Sequence, residues 1–225
     1  MPNHDLAVKM AELARSMAGP IGVEQVLSEV TEAAIELIPG ADAAGVLLIG
    51  KGGTFDSLAG TSGLPHELDE LQMKHKEGPC LQAAVDELVV RSDDFETETR
   101  WPHYTRDALA LGVRGGLSFK LYTADRTAGA LNLFAFEPGV FDSESEAIGS
   151  VLAAQAAAAI IASRRGEQLQ SALLSRDVIG QAKGVIMERF NIDAVQAFAL
   201  LRELSQSSNT KLSDVAQRVL DTRGQ

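Results

Sequence analysis

The chain has 225 residues, a formal net charge of −11, 45% hydrophobic residues and a single cysteine. Its length allows one large or two small domains, and one cysteine excludes both an intrachain disulfide and a cysteine-rich zinc site. The charge is unevenly spread, because residues 176–225 hold seven Lys/Arg and six Asp/Glu, against 13 and 25 in residues 1–175. The net charge of the whole chain argues against unspecific nucleic-acid binding, and the asymmetry indicates two modules with different partners.

The first 142 residues contain helical and strand-like patterns without an internal repeat. The predicted elements are, in chain order, helices over residues 5–18 and 23–38, a hairpin of 43–50 with 54–61, helices over 64–78 and from Pro79, a strand over 88–91, a helix over 100–112 stopped by Gly112, and a second hairpin of 113–124 with 127–137, turning at Asp125-Arg126. Helices that flank two hairpins and a short strand predict an α+β domain with a mainly antiparallel sheet, not alternating βαβ units.

A long helix is predicted from residue 143, because no proline or other strong break occurs before Arg189. Asp142 or Ser143 would cap its first turn. Apolar and small residues recur in it at an alternating spacing of three and four: Ile148, Leu152, Ala159, Ala162, Leu169 and Leu173. This weak heptad predicts close packing against a partner helix, and the alternative is a connector that packs on its own domain.

No membrane attachment is predicted. The N-terminus lacks the apolar core of a signal peptide, and the longest mostly apolar run, residues 151–162, is too short to span a bilayer. The expected location is therefore the cytoplasm, with which a single cysteine is compatible.

The C-terminal residues predict three short amphipathic helices. The first ends near Phe190-Asn191, the second begins with a capping box of Asp193 and Gln196, and the third begins near Lys211. Their apolar positions are Ile179, Ala182, Ile186 and Phe190, then Val195, Phe198, Leu201 and Leu204, and then Leu212, Val215, Ala216 and Val219. Such a small three-helix core is marginal alone, so we expect support from the preceding helix and from a second copy of the chain.

Two glycines in the first of these helices need an explanation, because each mid-helix glycine costs roughly 1 kcal/mol relative to alanine. Gly180 and Gly184 stand one turn apart, and in a helix they lie broadly to one side together with Arg176, Lys183 and Met187. One interpretation is that a bulky partner approaches the bare backbone while Lys183 meets a phosphate. The other is close helix packing at the glycines, with a solvated lysine.

Residues with catalytic potential do not form a recognisable constellation. Cys80 is predicted to be a small buried side chain, and Trp101 and Tyr104, three positions apart, are predicted to be core residues. The four histidines lack the spacing of metal ligands: His4, His66, His75 and His103. The sequence therefore predicts no enzyme, no bound metal and no catalytic residue.

Residues 176–220 resemble the ANTAR domain, a bacterial three-helix RNA-binding module of transcription antiterminators. The matching positions are Ala182-Lys183-Gly184, Met187, Ala197-Phe198, Leu201-Arg202, Asn209, Leu212 and Asp214-Val215-Ala216. Matches at this many fixed spacings are specific, unlike a lone glycine motif.

The upstream residues resemble the GAF domain, an α+β sensory fold. The resemblance is carried by Glu77-Gly78-Pro79-Cys80, by Trp101-Pro102 before a helix, and by the strand Gly129-Ala130-Leu131-Asn132-Leu133. It implies residues 1–142 as a GAF-like sensory domain, 143–175 as a helical, coiled-coil-like connector and 176–225 as the RNA-binding domain.

The resemblance implies a non-catalytic regulator. Dimers of such proteins bind paired hairpin loops in nascent mRNA, near RNA polymerase, and stabilise an antiterminator fold, and the GAF domain gates this binding. No cofactor is implied, although an unidentified small-molecule ligand of the GAF domain stays open. The expected RNA-binding residues are Arg176, Gly180, Lys183, Gly184, Arg189, Asn209, Lys211 and Arg218. The alternative function is a signalling or scaffold protein whose GAF domain binds a ligand or partner and whose C-terminal helices dimerise.

Overall fold

The computed structural model describes residues 22–50, 54–85, 87–121 and 128–222, together with residues 8, 11, 12 and 15. The chain divides into two compact units, Met1–Ser163 and Arg164–Gln225. Most of the helix predicted over residues 5–18 lies outside the described residues, although the four described positions there are helical. The turn predicted at Asp125-Arg126 also lies outside them.

The N-terminal unit is a five-stranded antiparallel sheet with helices on both faces, which confirms the predicted α+β class. Its helices are α1 (Val23–Leu37), α2 (Leu64–His75), α3 (Pro79–Val85), α4 (Pro102–Ala110) and the first part of α5 (Ser143–Phe190). Its strands are β1 (Ala43–Ile49), β2 (Phe55–Leu58), β3 (Val89–Ser92), β4 (Gly115–Lys120) and β5 (Ala128–Ala135), in the spatial order β2-β1-β5-β4-β3.

One face of the sheet packs against α1 and α5. In the register of the central pair, Val46 of β1 lies opposite Leu131 of β5, and both side chains are buried on this face. The apolar stripe of α1, with Leu27 and Val30 fully buried, covers them because helical residues three and four apart share a side.

The first part of α5 packs into this same core, and this corrects one prediction. Ile148, Leu152 and Ala159 were expected on a seam between two chains, but they are 8%, 0% and 7% exposed within the N-terminal unit. The alternative of a connector that packs on its own domain therefore holds for this stretch. Of the seam positions, Leu169 and Leu173 are 67% and 63% exposed, and Ala162 is also exposed.

The other face of the sheet is covered by α2, α3 and α4. Trp101 and Tyr104 of the α4 segment are 5% and 0% exposed, and Cys80 of α3 is fully buried. The predictions that all three are packing residues are thereby confirmed. Alternation along the strands sends successive side chains to opposite faces, so Leu47 and Ala130 meet Cys80 on this side.

The helix ends follow the capping chemistry read from the sequence. Asp142 Oδ1 accepts the backbone N–H groups of Glu144 and Ser145 at 3.0 and 2.9 Å at the start of α5. Gly112 has φ +85° just after α4, which is left-handed backbone that glycine adopts without strain. Asp193 and Gln196 form the predicted capping box at the start of α6 (Ala194–Ser207).

The C-terminal unit consists of the end of α5, α6 and α7 (Leu212–Asp221). Its core is small and rich in alanine: Ala182, Ile186, Ala197, Leu201, Val215 and Ala216. Four residues expected among the apolar core positions are instead exposed: Phe190 at 61%, Val195 at 78%, Phe198 at 42% and Leu204 at 51%. The end of α5, α6 and α7 pack closely around these alanines and bury only the middle of each apolar face. The apolar side chains at the edges of each face therefore stay exposed.

Within the described residues, α5 is long and apolar enough to cross a membrane by length and composition. Half of its most apolar stretch is buried inside the protein, as in the core helices of globular domains.

Candidate nucleic-acid interface and buried polar network

A bare helix face is the first part of the candidate interface. Gly180 and Gly184 follow Arg176 at intervals of four positions, and Lys183 stands three positions after Gly180, so the four residues lie on one side of α5. At about 100° per residue, Gly180 and Gly184 point away from Ala182 and Ile186, the buried residues two positions after each of them. The expected common face of these four residues is thus present.

The two glycines border open space. Apart from its chain neighbours and the nearby backbone of α5 itself, a Cβ atom placed on Gly180 or on Gly184 would have no atom within 4 Å. Among the described residues nothing packs on this surface, so close packing inside the chain does not explain the glycines. Met187, which the sequence placed on this side, instead packs partly buried against the small core.

The turn between α6 and α7 carries two further expected residues. Asn209 has φ +49°, so it ends α6 in the left-handed conformation that asparagine tolerates. Ser205 Oγ donates to the carbonyl oxygen of Thr210 at 2.6 Å and holds the turn closed. Lys211 follows as the exposed N-cap residue of α7. Asn209 thus has a capping role in the backbone, whatever it contacts outside the chain.

Arg189 and Arg218 do not join either group. Both are exposed, and Arg189 lies at the rim of an apolar groove of about 640 Å³ between the end of α5, α6 and α7. Phe190, Leu200 and Leu204 line this groove, and Glu203 stands at its rim. Sequence reasoning missed the groove because it assigned Phe190 and Leu204 to the core.

A buried polar network lies in the N-terminal unit, between the sheet and α2. Asp69 Oδ2 accepts a hydrogen bond from Ser57 Oγ at 2.7 Å, and Asp69 Oδ1 accepts weaker ones from Asn132 Nδ2 at 3.4 Å and Gln72 Nε2 at 3.5 Å. Ser118 Oγ donates to Asn132 Oδ1 at 2.8 Å. Asp69, Gln72, Ser118 and Asn132 are at most 1% exposed. The network thereby joins α2 to three strands of the sheet.

Burial raises the pKa of the Asp69 carboxyl group to about 7, and the Ser57 hydrogen bond, the charge of His66 and the Asn132 hydrogen bond oppose this rise. When a carboxylate is buried without a cation beside it, it loses hydration free energy. Hydrogen bonds from neutral donors recover only part of that free energy, so the protonated form is favoured. Burial also raises the pKa of the Cys80 thiol. Cys80 therefore stays a neutral thiol and lacks the thiolate character of a nucleophile.

The sequence contained one signal of this network. Pro65, Leu68, Asp69 and Gln72 follow the i, i+3, i+4, i+7 pattern of a buried helix face, and all four are buried. Two polar residues on such a face indicate partners inside the core. Across the described ranges, no group of three or more His, Cys, Asp or Glu side chains is arranged to hold a metal ion. The absence of a metal stays a prediction.

The fold and these two sites define a class: a sensory α+β domain that precedes a small helical module. Comparison with known families then identifies it. The GAF domain family matches residues 21–161, and the ANTAR domain family matches residues 167–220. The chain belongs to the GAF-ANTAR family, whose members combine sensory and RNA-binding regulatory domains. Among curated proteins, none matches the chain.

Solved structures resemble the N-terminal fold. The GAF domain of a phosphoenolpyruvate-protein phosphotransferase from Coxiella burnetii is 21% identical, with 72% of this chain and 96% of that one covered and a TM-score of 0.57. The GAF domain of the Acinetobacter phosphoenolpyruvate-protein phosphotransferase is 12% identical, with 71% of this chain and 94% of that one covered and a TM-score of 0.55. The free methionine-R-sulfoxide reductase of Neisseria meningitidis is 15% identical, with 72% of this chain and 93% of that one covered and a TM-score of 0.52. At such identities the likeness concerns the fold alone.

Proposed function

We propose that this protein is a cytoplasmic RNA-binding antitermination regulator without catalytic activity. Its C-terminal unit binds hairpin loops in nascent mRNA, close to RNA polymerase, and its GAF domain gates that binding. The observation that carries the proposal is the bare face of α5, where Gly180 and Gly184 border open space beside Lys183 and Arg176. Proteins usually read RNA sequence in single-stranded loops, whose backbone and splayed bases can reach such a surface.

The proposed mechanism uses positioning rather than chemistry. Lys183 and Arg176 contact phosphates, the glycines admit the sugar-phosphate backbone, and Lys211 adds a cation from the turn after α6. A bound hairpin is held in the antiterminator fold, which excludes the competing terminator hairpin. Because Leu152 and Ile160 of α5 lie in the core of the GAF domain, a change in that core acts directly on the helix that also forms the RNA-binding unit.

We further propose a homodimer in which each chain takes one of two paired hairpins. Leu169, Leu173 and Leu174 support it, because they are 67%, 63% and 61% exposed in one stretch of α5. Large apolar side chains in such a cluster are typical of a surface that a partner covers. Two linked sites also gain affinity for tandem hairpins through effective concentration.

A competing function is a signalling protein whose C-terminal helices only dimerise. The exposed leucines and the apolar groove beside Phe190 favour protein contacts and give this alternative its support. The deciding experiment selects from a library of two-hairpin RNAs with randomised loops, and then measures gel shifts for the selected RNA, a single hairpin and duplex DNA. Enrichment of particular loops, with tighter binding of tandem than of single hairpins, is expected. A failure to enrich any loop would favour the dimerisation module.

A further inference from the structure

The GAF domain contains a carboxyl group whose buried surroundings supply only neutral donors. Asp69 projects from α2 towards the sheet, and its hydrogen-bond donors are the hydroxyl of Ser57 and the amides of Gln72 and Asn132. Each donor comes from an uncharged side chain, and no ion pair with Asp69 is present in the described part of the chain. This arrangement of hydrogen-bond partners can therefore accommodate both the protonated and the ionised form of Asp69.

The charged and titratable groups around Asp69 leave this balance in place. On α2 itself, His66 is largely exposed and pairs with Glu70 at 3.3 Å. The helix α3 contributes the neutral thiol of Cys80, and α4 contributes Tyr104, whose hydroxyl is buried without a hydrogen-bond partner in the described residues. The strands β1, β2 and β5 present apolar side chains, Ser57 and Asn132 to this face.

One strand carries a cation on the same side of the sheet. Lys120 of β4 stands two positions after Ser118, so alternation along the strand places it on the same face, but at the strand end and partly exposed. Ser118 is the network residue on the same strand as Lys120, and its hydroxyl group donates to Asn132 Oδ1 at 2.8 Å. In the described part of the chain, the charge that acts on the Asp69 carboxyl group is that of His66, not that of Lys120.

The space next to the network is filled by the chain itself. A Cβ atom on Gly45 of β1 would lie 2.8 Å from Pro65, and one on Gly116 of β4 would lie 2.9 Å from Phe95. Side chains of α2 and of the segment before α4 thus lie against the bare backbone of both strands. A small-molecule ligand could reach Asp69 only by displacing α2. A ligand as small as a proton could bind there without displacing any side chain.

We propose that the GAF domain binds a proton at Asp69, and that this proton is an input to the RNA-binding unit. The second half of this statement rests on the proposed function. In the acid form, Oδ2 carries the proton and donates to Ser57 Oγ, while Oδ1 still accepts from Asn132 and Gln72. Loss of the proton leaves a buried carboxylate, which favours a looser contact of α2 and of the edge strand β2 with the sheet, where water can reach the charge.

The first test follows Asp69 in the full-length protein by carboxyl ¹³C NMR between pH 4 and 9. The expected midpoint lies near 7, and the amide signals of Ser57 and Asn132 should shift with the same midpoint. A midpoint near 4, or amide signals that ignore the titration, would overturn the proposal. Ser57→Ala removes a hydrogen bond that favours the charged form and should move the midpoint upwards.

The second test measures affinity for a selected tandem-hairpin RNA at pH 6 and pH 8. Wild type should differ by about fivefold or more between the two, the lower end of ordinary coupling between sites. Asp69→Asn should show no such difference, while Asp56→Asn, an exposed change on the same strand as Ser57, should behave as wild type. Equal pH profiles in wild type and Asp69→Asn would overturn the input role.

The two tests separate this proposal from the proposed function. If the chain binds no RNA at any pH but Asp69 titrates near 7 with its neighbours, the proton site stands and the RNA-binding function fails. If RNA binds and Asp69 titrates near 4, the function stands and the proton site fails. The wild-type titration requires no variant, so a variant that fails to fold leaves the decision intact.

Discussion

Replacing Gly180 and Gly184 by alanine separates the two explanations of the bare helix face, because it should change stability and RNA binding in opposite directions. Neither new Cβ would meet an atom within 4 Å beyond the adjacent residues and the nearby backbone of α5. Alanine in a helix interior is favoured over glycine by about 0.5–1 kcal/mol, so the double variant should raise the free energy of unfolding of the C-terminal unit by about 1–2 kcal/mol. For a unit of this size, each 1 kcal/mol raises Tm by about 4–8 °C.

RNA affinity should fall in the same variant. Two methyl groups would hold the sugar-phosphate backbone away from the helix and lengthen its contacts with Lys183. Loss of about 1–2 kcal/mol, the order of one or two ordinary hydrogen bonds, corresponds to a roughly 5- to 30-fold weaker Kd. Thermal unfolding and gel shifts with a selected tandem hairpin measure the two effects on the same samples.

Gly166 provides the matched control for this experiment. It also lies in α5, and a Cβ atom on it would likewise meet nothing within 4 Å, but it is outside the proposed RNA face. Gly166→Ala should raise Tm without changing RNA affinity. If the Gly180, Gly184 double variant gains stability and still binds RNA as wild type does, the glycine face is not the RNA contact. If it loses stability, the glycines pack against a second chain.

Three further predictions concern charge. Lys183→Ala should weaken hairpin binding by about 1–3 kcal/mol, the range for hydrogen bonds to charged groups. Thermal unfolding followed by circular dichroism should stay unchanged, because Lys183 is outside the buried core. An unaltered Kd would show that Lys183 is only a solvated surface residue. RNA binding should show a shallow salt dependence, with a slope of log K against log salt of roughly 1.5–3 per module, because few cations are available there, and a slope near 8 would contradict this. Because Asp69 has a folded-state pKa of about 7, above its unfolded value, its protonation stabilises the fold fully below pH about 4, and this contribution is lost as pH rises to about 7. The loss amounts to about 4 kcal/mol at most, and chemical denaturation should show it in wild type and not in Asp69→Asn.

Local signals made the helix ends predictable from the sequence. The capping box at Asp193, the stop at Gly112 and the cap at Asp142 depend on residues within four positions of one another, so they can be read before any fold is known. Burial depends on more. Phe190 and Leu204 have the spacing of core residues, yet they are exposed because the alanines of α5 and α6 let a small core close without them.

The buried network illustrates the other limit of sequence reasoning. The position of Asp69 on a buried helix face is a local feature, but its partners are not. Ser57 stands 12 positions before it and Asn132 stands 63 positions after it. Only the pairing of β1 with both β2 and β5 brings these residues under α2, and the sequence predicted hairpins without predicting how the two hairpins join.

The correction at Ala159 changes where the proposed dimer should be tested. Ala159 is 7% exposed in the N-terminal unit, so Ala159→Asp should lower the stability of that unit without acting on a seam. Leu169 and Leu173, one turn apart on one side of α5 and both more than 60% exposed, are the better positions. Burial of each leucine contributes about 1.5–3 kcal/mol, and a twofold seam would bury each of them twice.

The variant Leu169→Asp with Leu173→Asp should therefore weaken dimerisation by at least about 100-fold, which sedimentation equilibrium would detect as a shift to monomers. Ser171→Asp is the control, because it places one such carboxylate on the opposite side of the same stretch. Affinity for a tandem hairpin should fall in the leucine variant, while affinity for a single hairpin should stay unchanged, since only the linkage between two sites is lost. A wild-type chain that remains monomeric on saturating tandem RNA, and binds one hairpin as tightly as two, would refute the dimer. Loss of single-hairpin binding in the leucine variant would instead place these leucines in the RNA-binding surface.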